Sequence, residues 1–178
     1  MTAAPALASR SDELTALVLA AQKGDRPAFD QLYRTHARMV HGLLMSRVPR
    51  SDVDDLVQDV FMLAMQKIAS LRTPAAFGGW LAAIARTRAI DHLRRQPRTT
   101  ELVDDVAAND PDRTELMTVL AALEKLPLAY RETLTLRLVE GMTGQEISEK
   151  TGLTEGSVRV NLHRGMKQLK EELERGRA

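Results

Sequence analysis

The stretch from residue 143 to residue 173 constrains the fold of this chain most, because two helix starts follow closely in it. Thr143 can cap a first helix, and Glu146 stands three residues later, which is the capping-box spacing. Thr154 can cap a second helix in the same way. Gly152 lies between them and can adopt the positive φ that a tight turn requires. A short helix, a glycine turn and a longer helix predict a helix-turn-helix.

The second helix of this motif is amphipathic at about 100° per residue. Its inward apolar stripe is predicted to contain Val158, Leu162, Met166 and Leu169. The opposite side and its flanks carry the candidate DNA contacts, which are Arg159, Val160, Asn161, His163, Arg164 and Lys167. Such a face suits a helix in the major groove, where Arg can pair with guanine and Asn with adenine. The alternative is a surface helix whose basic side is only solvated.

The composition favours helices over strands. Hydrophobic residues make up 44% of the 178 residues and charged residues 28%, which is typical of a globular chain. Aromatic residues make up only 3%, and apolar residues recur at helical spacing. The net charge is only +1, but basic residues cluster locally, and such patches can hold phosphates. The clusters are Arg86, Arg88, Arg94, Arg95 and Arg98, and Arg159, Arg164, Lys167 and Lys170.

Several classes of site are disfavoured. Cysteine is absent, which excludes disulfide bonds and zinc sites built on thiolates. The four histidines form no metal-ligand motif, and no phosphate-binding loop occurs, so we expect no enzyme activity, no metal and no cofactor. No apolar run approaches the roughly 18 residues of a membrane span, and the N-terminus does not resemble a signal peptide. The expected location is the cytoplasm, without membrane insertion.

Helical periodicity divides the chain into two domains. Residues 1–10 are rich in Ala, Pro and Ser and are predicted to form a disordered tail. Residues 11–96 contain four helical patterns, and residues 114–178 contain the helix-turn-helix with further helices before it. Residues 97–113 lack a sustained apolar period and are predicted to be a flexible linker. The predicted fold is therefore all-α, with two small helical domains joined by a flexible linker.

Two helix starts in the N-terminal domain bear on function. Ser51 is predicted to cap the third helix, whose first turn is acidic, as the helix dipole favours. Thr73 and Pro74 are predicted to begin the fourth helix, whose second half is basic. The acidic residues of the third helix could suggest a cation site, but they lack the glycine of a calcium-binding loop. Their spacing favours an exposed acidic face, either solvated or meeting a basic partner.

Four segments in order resemble an extracytoplasmic-function sigma factor of bacterial RNA polymerase. They are AFDQLYRTHARMVHGLL, DVDDLVQDVFMLAMQKI, FGGWLAAIARTRAIDHLRR and LPLAYRETLTLRLVEGMTGQEISEKTGLTEGSVRVNLHRGMKQL. The first is similar to the family's first conserved helix, and the second to the acidic helix that docks on the polymerase. The third is similar to the segment that opens and reads the minus-ten promoter element. The fourth is similar to the domain that reads the minus-thirty-five element.

The resemblance implies roles for individual residues. Three match the positions that face a coiled coil of the largest polymerase subunit, and these are Asp55, Gln58 and Asp59. Four match positions where the recognition helix meets bases and phosphates, and these are Arg159, Val160, His163 and Arg164. In the segment for the downstream element, three residues can hold strand phosphates, and these are Arg88, His92 and Arg95.

Some positions depart from the family pattern. Thr87 stands where the family usually has Asn, in the segment that captures a flipped promoter base. A hydroxyl offers fewer base-edge hydrogen bonds than an amide does, so a capturing role for Thr87 is weakened. Val160 replaces a small polar residue and could touch a thymine methyl group. Phe77 and Trp80 are interpreted as core residues, with base stacking as the alternative.

The resemblance implies a sigma factor that directs promoter-specific initiation of transcription. Its expected partners are core RNA polymerase, promoter DNA and an anti-sigma factor that restrains the chain. One alternative is a two-domain helix-turn-helix regulator that is not a polymerase subunit. Another alternative is a helical adaptor that does not bind DNA.

Overall fold

The computed structural model describes residues 4–95 and 111–176, and within these ranges it contains helices and turns but no strand. The N-terminal domain contains α1 (Ala4–Gln22), α2 (Arg26–Met45), α3 (Val53–Lys67) and α4 (Phe77–Arg95). The C-terminal domain contains α5 (Pro111–Glu124), α6 (Leu128–Leu134), α7 (Gly144–Thr151) and α8 (Glu155–Arg175). A π-helical turn, Thr135–Val139, continues directly from α6. The prediction of an all-α fold with two helical domains is confirmed.

The four helices of the N-terminal domain pack around one apolar core. Val18 of α1, Leu32 and Val40 of α2, Val60 of α3 and Leu81 of α4 are all completely buried. Each lies on an apolar stripe with three- and four-residue spacing, which is why these segments fold as amphipathic helices. Burying such a side chain contributes about 1.5–3 kcal/mol. This core fixes α3 and α4 so that their polar faces remain at the surface.

The C-terminal domain has a smaller core of its own, formed by Ala122, Leu123, Leu126, Leu134 and Leu169. On α8 the apolar face differs from the predicted stripe, because Met166 is 46% exposed. Gly165 takes its place in the contact with α6, where an added Cβ would lie 3.0 Å from a methyl group of Leu134. The small residue lets the two helices approach closely, as a methionine would not.

Element boundaries differ from prediction at the two ends of the N-terminal domain. Helix α1 begins at Ala4, inside the stretch 1–10 for which the sequence predicts a disordered tail. Most of the predicted linker 97–113 lies outside the described residues. Helix α5 already begins at Pro111, three residues before the predicted start of the C-terminal domain at 114.

The starts of α3 and α4 also differ from prediction. The Ser51 hydroxyl donates to the Asp52 carboxylate and does not cap α3. Thr73 makes no side-chain capping hydrogen bond, and α4 begins after a 3₁₀ turn at Pro74–Ala76. A 3₁₀ turn, Arg50–Asp52, also precedes α3. Such turns pair the first N–H groups with preceding carbonyls, which makes a side-chain cap unnecessary.

The two domains lie directly against each other. Leu136, Met142 and Ile147 of the C-terminal domain are buried in the same core as residues of α2 and α4. At the start of α4, a Cβ added to Gly78 would lie 2.6 Å from the carbonyl oxygen of Lys150. The glycine therefore allows α4 to touch the end of α7, where the helix-turn-helix makes its turn.

Candidate nucleic-acid interface

The capping residues predicted from the sequence stabilise the two helix starts of the helix-turn-helix. The Thr143 hydroxyl accepts from the Glu146 N–H at 3.2 Å, and the Glu146 carboxylate accepts from the Thr143 N–H at 2.8 Å. These bonds hold the pKa of Glu146 below its usual value. Thr154 accepts from the Ser157 N–H at 3.1 Å, and Gly152 turns the chain with a φ of 76°. The start of α8, the recognition helix, is thereby fixed in position.

The outward face of α8 is open to solvent. Its exposed residues are Arg159, Val160, His163, Arg164 and Lys167. The buried Val158 and Leu169 on the opposite side hold this face outward. Guanidinium, imidazole and ammonium groups on one exposed helix face can contact base edges and phosphates together in a major groove.

Asn161 lies off this face, unlike the other candidate contacts on α8. It is half-buried, and its amide donates to the Thr133 hydroxyl at 3.3 Å. Thr133 is completely buried in α6 and donates in turn to the carbonyl of Ala129 at 2.8 Å. The amide of Asn161 therefore ties the recognition helix to its own domain, where it can set the orientation of α8.

On α4, two candidate contacts for the downstream element lie at the surface. Arg95 is exposed at the last position of the helix. Thr87 is exposed too, but its hydroxyl donates to the carbonyl of Ala83 at 2.9 Å. Since a hydroxyl has only one hydrogen to donate, Thr87 has acceptor capacity but no spare donor for a base. A capturing role for Thr87 stays a prediction, and in it the hydroxyl could only accept a hydrogen bond.

The other two α4 candidates form ion pairs with the acidic segment around α3. Arg88 pairs with Asp59 at 2.6 Å, and His92 lies 2.8 Å from the Asp52 carboxylate. Both basic groups remain about one quarter exposed, so phosphates can still reach them. The structure thus joins a predicted polymerase contact, Asp59, to a predicted DNA contact, Arg88.

The acidic face of α3 is exposed as its periodicity predicts. Asp55 and Gln58 are exposed, while Leu56 and Val60 on the other side are buried in the core. The side chain of Asp59 is 47% exposed despite its ion pair. A partner with a basic surface can therefore reach all three polar groups.

The aromatic residues of α4 belong mainly to the core. Phe77 is completely buried and meets the His36 ring edge-on at a centroid distance of 5.0 Å. Trp80 is half-buried, with its ring 5.8 Å from that of Phe77. The core interpretation is confirmed for Phe77, whereas part of Trp80 stays accessible.

A charged cluster between the domains was missed by the sequence reasoning. Glu132 of α6 is 5% exposed, and its carboxylate meets the guanidinium groups of Arg47 and Arg86. Burial alone would raise the pKa of Glu132, but hydrogen bonds and charge from Arg86 and Arg47 hold it below its usual value. A lone Glu in a helical pattern carries no signal that distant arginines will meet it.

His36 is a second buried polar residue, and nothing in the sequence indicates that it is buried. Its Nδ1 lies 3.0 Å from the carbonyl oxygen of Leu32. Burial, with a smaller effect from the charge of Lys150, lowers the pKa of His36 from 6.5 to about 4. The imidazole is therefore neutral at pH 7 and acts as a core residue.

The described ranges contain neither of two other kinds of site. No group of three or more His, Cys, Asp or Glu side chains there is placed to hold a metal ion. None of the helices within residues 4–95 and 111–176 combines the length and apolar character that a membrane crossing requires.

Comparisons with known proteins agree with this geometry. Sigma-70 region 2 matches residues 32–99, and Sigma-70 region 4 matches residues 116–169. The ECF RNA polymerase sigma-E factor of Haemophilus influenzae is 31% identical over 92% of this chain and 98% of the relative. The ECF RNA polymerase sigma factor SigE of Mycolicibacterium smegmatis is 31% identical over 92% of this chain and 69% of the relative.

Among solved structures, CnrH in complex with the cytosolic domain of CnrY aligns with a TM-score of 0.65 and 26% identity. That alignment covers 91% of this chain and 97% of CnrH, so it spans both helical domains. The two sigma regions coincide with the two domains that carry the α4 and α8 surfaces. The chain therefore belongs to the ECF sigma factors of bacterial RNA polymerase, which direct transcription from particular promoters.

Proposed function

We propose that this sigma factor reads its promoters through two separate faces, the outward side of α8 and the basic half of α4. The observation that carries the proposal is the exposed face of α8, held outward by two caps and a buried apolar side. In this proposal Arg159, His163 and Arg164 contact bases or phosphates of the upstream element. Val160 meets a thymine methyl group, and Lys167 meets the phosphate backbone.

The basic half of α4 binds the downstream element in this proposal. Arg88, His92 and Arg95 hold the phosphates of the opened strand, and Thr87 accepts a hydrogen bond from a flipped base at most. Flipping a base costs a few kcal/mol. The binding free energy of both domains and of the polymerase offsets that cost, and the chain itself performs no catalysis.

Asp55, Gln58 and Asp59 form the proposed docking face for core polymerase. Carboxylates and an amide on one exposed helix side suit a basic coiled coil, because complementary charge favours encounter and orientation. A restraining partner is also proposed, since CnrH was solved with the cytosolic domain of CnrY bound to it. The anti-sigma factor that we expect for this chain would act in the cytoplasm, where we place the chain.

The decisive experiment is reconstituted transcription. Purified chain added to core polymerase should initiate at a specific promoter at which core polymerase alone does not initiate. Tight DNA binding without polymerase, combined with no effect on initiation, would instead identify a helix-turn-helix regulator. No binding to DNA in either setting would identify a helical adaptor. The outward-facing cations on α8 favour the first outcome over the third.

A further inference from the structure

The recognition helix α8 approaches α6 closely along one turn of each helix. On α6 this turn contains Tyr130, Thr133 and Leu134, and on α8 it contains Asn161 and Gly165. A Cβ added to Gly165 would lie 3.0 Å from Cδ1 of Leu134 and 3.1 Å from Cβ of Tyr130. At Gly165, therefore, α8 meets α6 with its backbone and has no side chain there that interlocks with the partner helix.

The apolar contacts around this point hold α8 against α6 without fixing its rotation closely. Leu134 is completely buried, Leu169 is 4% exposed, and both lie in the core of the C-terminal domain. Their burial is favourable in any orientation that keeps water out, because the hydrophobic effect is non-directional. A helix that presents only a hydrogen atom at Gly165 can turn by several degrees about its axis with little loss of contact. A directional bond is needed to set its rotation.

Among the side chains that the structure describes, a single hydrogen bond joins α6 to α8. The Asn161 amide donates to the Thr133 hydroxyl at 3.3 Å. That hydroxyl donates its one hydrogen to the carbonyl of Ala129 at 2.8 Å, so it can only accept from Asn161. Thr133 is completely buried in α6. The amide of α8 is thus anchored to an oxygen atom whose own position is fixed.

The proposed base contacts depend closely on the rotation of α8. Arg159, His163 and Arg164 lie on its exposed side. Side-chain atoms lie about 5–6 Å from a helix axis, so a rotation of about 10° moves them by about 1 Å. The donor–acceptor distances of good hydrogen bonds span only about 0.5 Å. A rotation of this size would therefore take several side chains out of reach of their base edges at once.

We propose that Thr133 and Asn161 are positioning residues, which fix the rotation of α8 and thereby set how sharply it discriminates between upstream elements. Thr133 lies buried behind the recognition helix and acts through Asn161 without touching DNA. The Asn161 amide is correspondingly withdrawn from the bidentate pairing with adenine that its residue type suggests. This inference deepens the proposed function and rests on it, because it concerns the same upstream-reading face.

Thr133→Val tests the inference, because it removes the hydroxyl and keeps a branched side chain of similar size. Holoenzyme assembled from core polymerase and each variant is titrated on a promoter fragment and on fragments with one base pair of the upstream element changed. The ratio of dissociation constants gives the discrimination at each base pair. Thr133→Val should lower this ratio by about 3-fold or more at several base pairs, since the contacts on α8 shift together. Equal weakening on every fragment, which leaves the ratios unchanged, would overturn the inference.

Two further variants separate the hydroxyl from the packing of the side chain. Thr133→Ser keeps the hydroxyl without the methyl group and should retain the ratios of the parent chain. Thr135→Val is the matched control, because Thr135 is 2% exposed but lies roughly 200° around the helix axis from Thr133. It should leave the ratios unchanged. Equal losses of discrimination in Thr133→Ser and Thr133→Val would show that the methyl packing is responsible, and would overturn the inference.

Asn161→Ala shows whether Thr133 acts through Asn161. Asn161 is only half-buried, so this variant tests the inference even if Thr133→Val fails to fold. Asn161→Ala should lower discrimination at several base pairs, and adding Thr133→Val should cause no further loss, because both substitutions remove the same bond. A loss confined to one base pair, or losses that add in the double variant, would identify Asn161 as a direct base contact and overturn the inference.

The parent holoenzyme tests the proposed function separately. If its affinity did not depend on any base pair of the upstream element, upstream reading by α8 would be overturned. If its affinity did depend on the sequence, but Thr133→Val and Asn161→Ala kept the ratios of the parent chain, only the positioning role would be overturned.

Discussion

Arg164 and Asn161 stand three positions apart on α8, yet their surroundings differ completely. Arg164 is exposed on the outward face, while the Asn161 amide is engaged with Thr133 of α6. Substitutions at the two positions should therefore act on different properties. Loss of the Arg164 side chain should remove a proposed DNA contact, whereas loss of the Asn161 amide should disturb the packing of α8 against α6.

Arg164→Ala should weaken recognition of the upstream element by about 1–3 kcal/mol if the guanidinium contacts a base bidentately. Titration of the polymerase holoenzyme on promoter fragments with single base changes measures this effect. Lys170→Ala is the matched control, because Lys170 is exposed on the same helix but pairs with Glu174. An equal loss on every DNA sequence would identify Arg164 as a phosphate contact.

His36 makes the stability of the fold depend on pH. Its pKa is lowered from 6.5 to about 4 by burial, so the unfolded chain binds a proton more readily between these values. The associated stability is complete above pH 6.5 and is lost as pH falls, reaching a loss of about 3 kcal/mol near pH 4. Urea unfolding at pH 7 and pH 5 should show this dependence.

His36→Gln should flatten the profile between these pH values, because glutamine does not titrate. If the parent chain and His36→Gln lost the same unfolding free energy between pH 7 and pH 5, the lowered pKa of His36 would be contradicted.

At the scale of elements, the buried and the exposed sides of α3 have different roles. The buried side holds the N-terminal core, and the exposed side presents Asp55, Gln58 and the partly exposed Asp59. Because Asp59 also pairs with Arg88 of α4, changes at the proposed docking face can reach the proposed downstream DNA contacts. The residues proposed for docking and for strand binding are thus adjacent on neighbouring helices.

Asp55→Arg combined with Asp59→Arg should abolish binding to core polymerase, because two attractive charges become repulsive. Helix content, measured by circular dichroism, should be unchanged, since neither side chain lies in the core. Asp30→Arg, at an exposed acidic position on α2, serves as the control and should bind normally. Normal polymerase binding by the double variant would remove α3 as the docking face.

Local sequence patterns predict the helices well, but they do not predict which distant residues those helices contact. The Thr143 and Thr154 caps and the outward cations of α8 follow from neighbours within four residues, and the structure contains them. The contact of Gly165 with Leu134 could not be inferred, because it depends on how closely α8 approaches α6. The same holds for Glu132, whose two arginines come from other helices far away in the sequence.

At the scale of the whole molecule, the two domains are expected to unfold together. Leu136 and Met142 complete the core of the N-terminal domain, so neither domain keeps all its buried surface alone. Glu132 lies at the same contact, where removal of one charge leaves two arginines without their anion. Domain coupling can therefore be measured through this one carboxylate.

Glu132→Gln should lower the unfolding free energy, on the order of 3–5 kcal/mol for a broken buried ion pair. Differential scanning calorimetry should show one transition for the parent chain and two for the variant, as the domains uncouple. The coupling should also weaken at acid pH. Because the pKa of Glu132 is lowered from 4.5, its contribution to stability is full above about pH 4.5 and is lost as the pH falls further. Two transitions in the parent chain at neutral pH would contradict this expectation.

The π-helical turn Thr135–Val139 lies between α6 and the first helix of the helix-turn-helix. Its closing bond, from the Glu140 N–H to the Thr135 carbonyl at 3.1 Å, encloses one residue more than an α-helical turn would. The wider turn takes up this residue within one circuit of the helix, whereas one residue added to an ordinary α-helix turns everything downstream by about 100° about the axis. The π-turn therefore keeps the helix-turn-helix at nearly the same angle about the axis that a purely α-helical segment one residue shorter would give it.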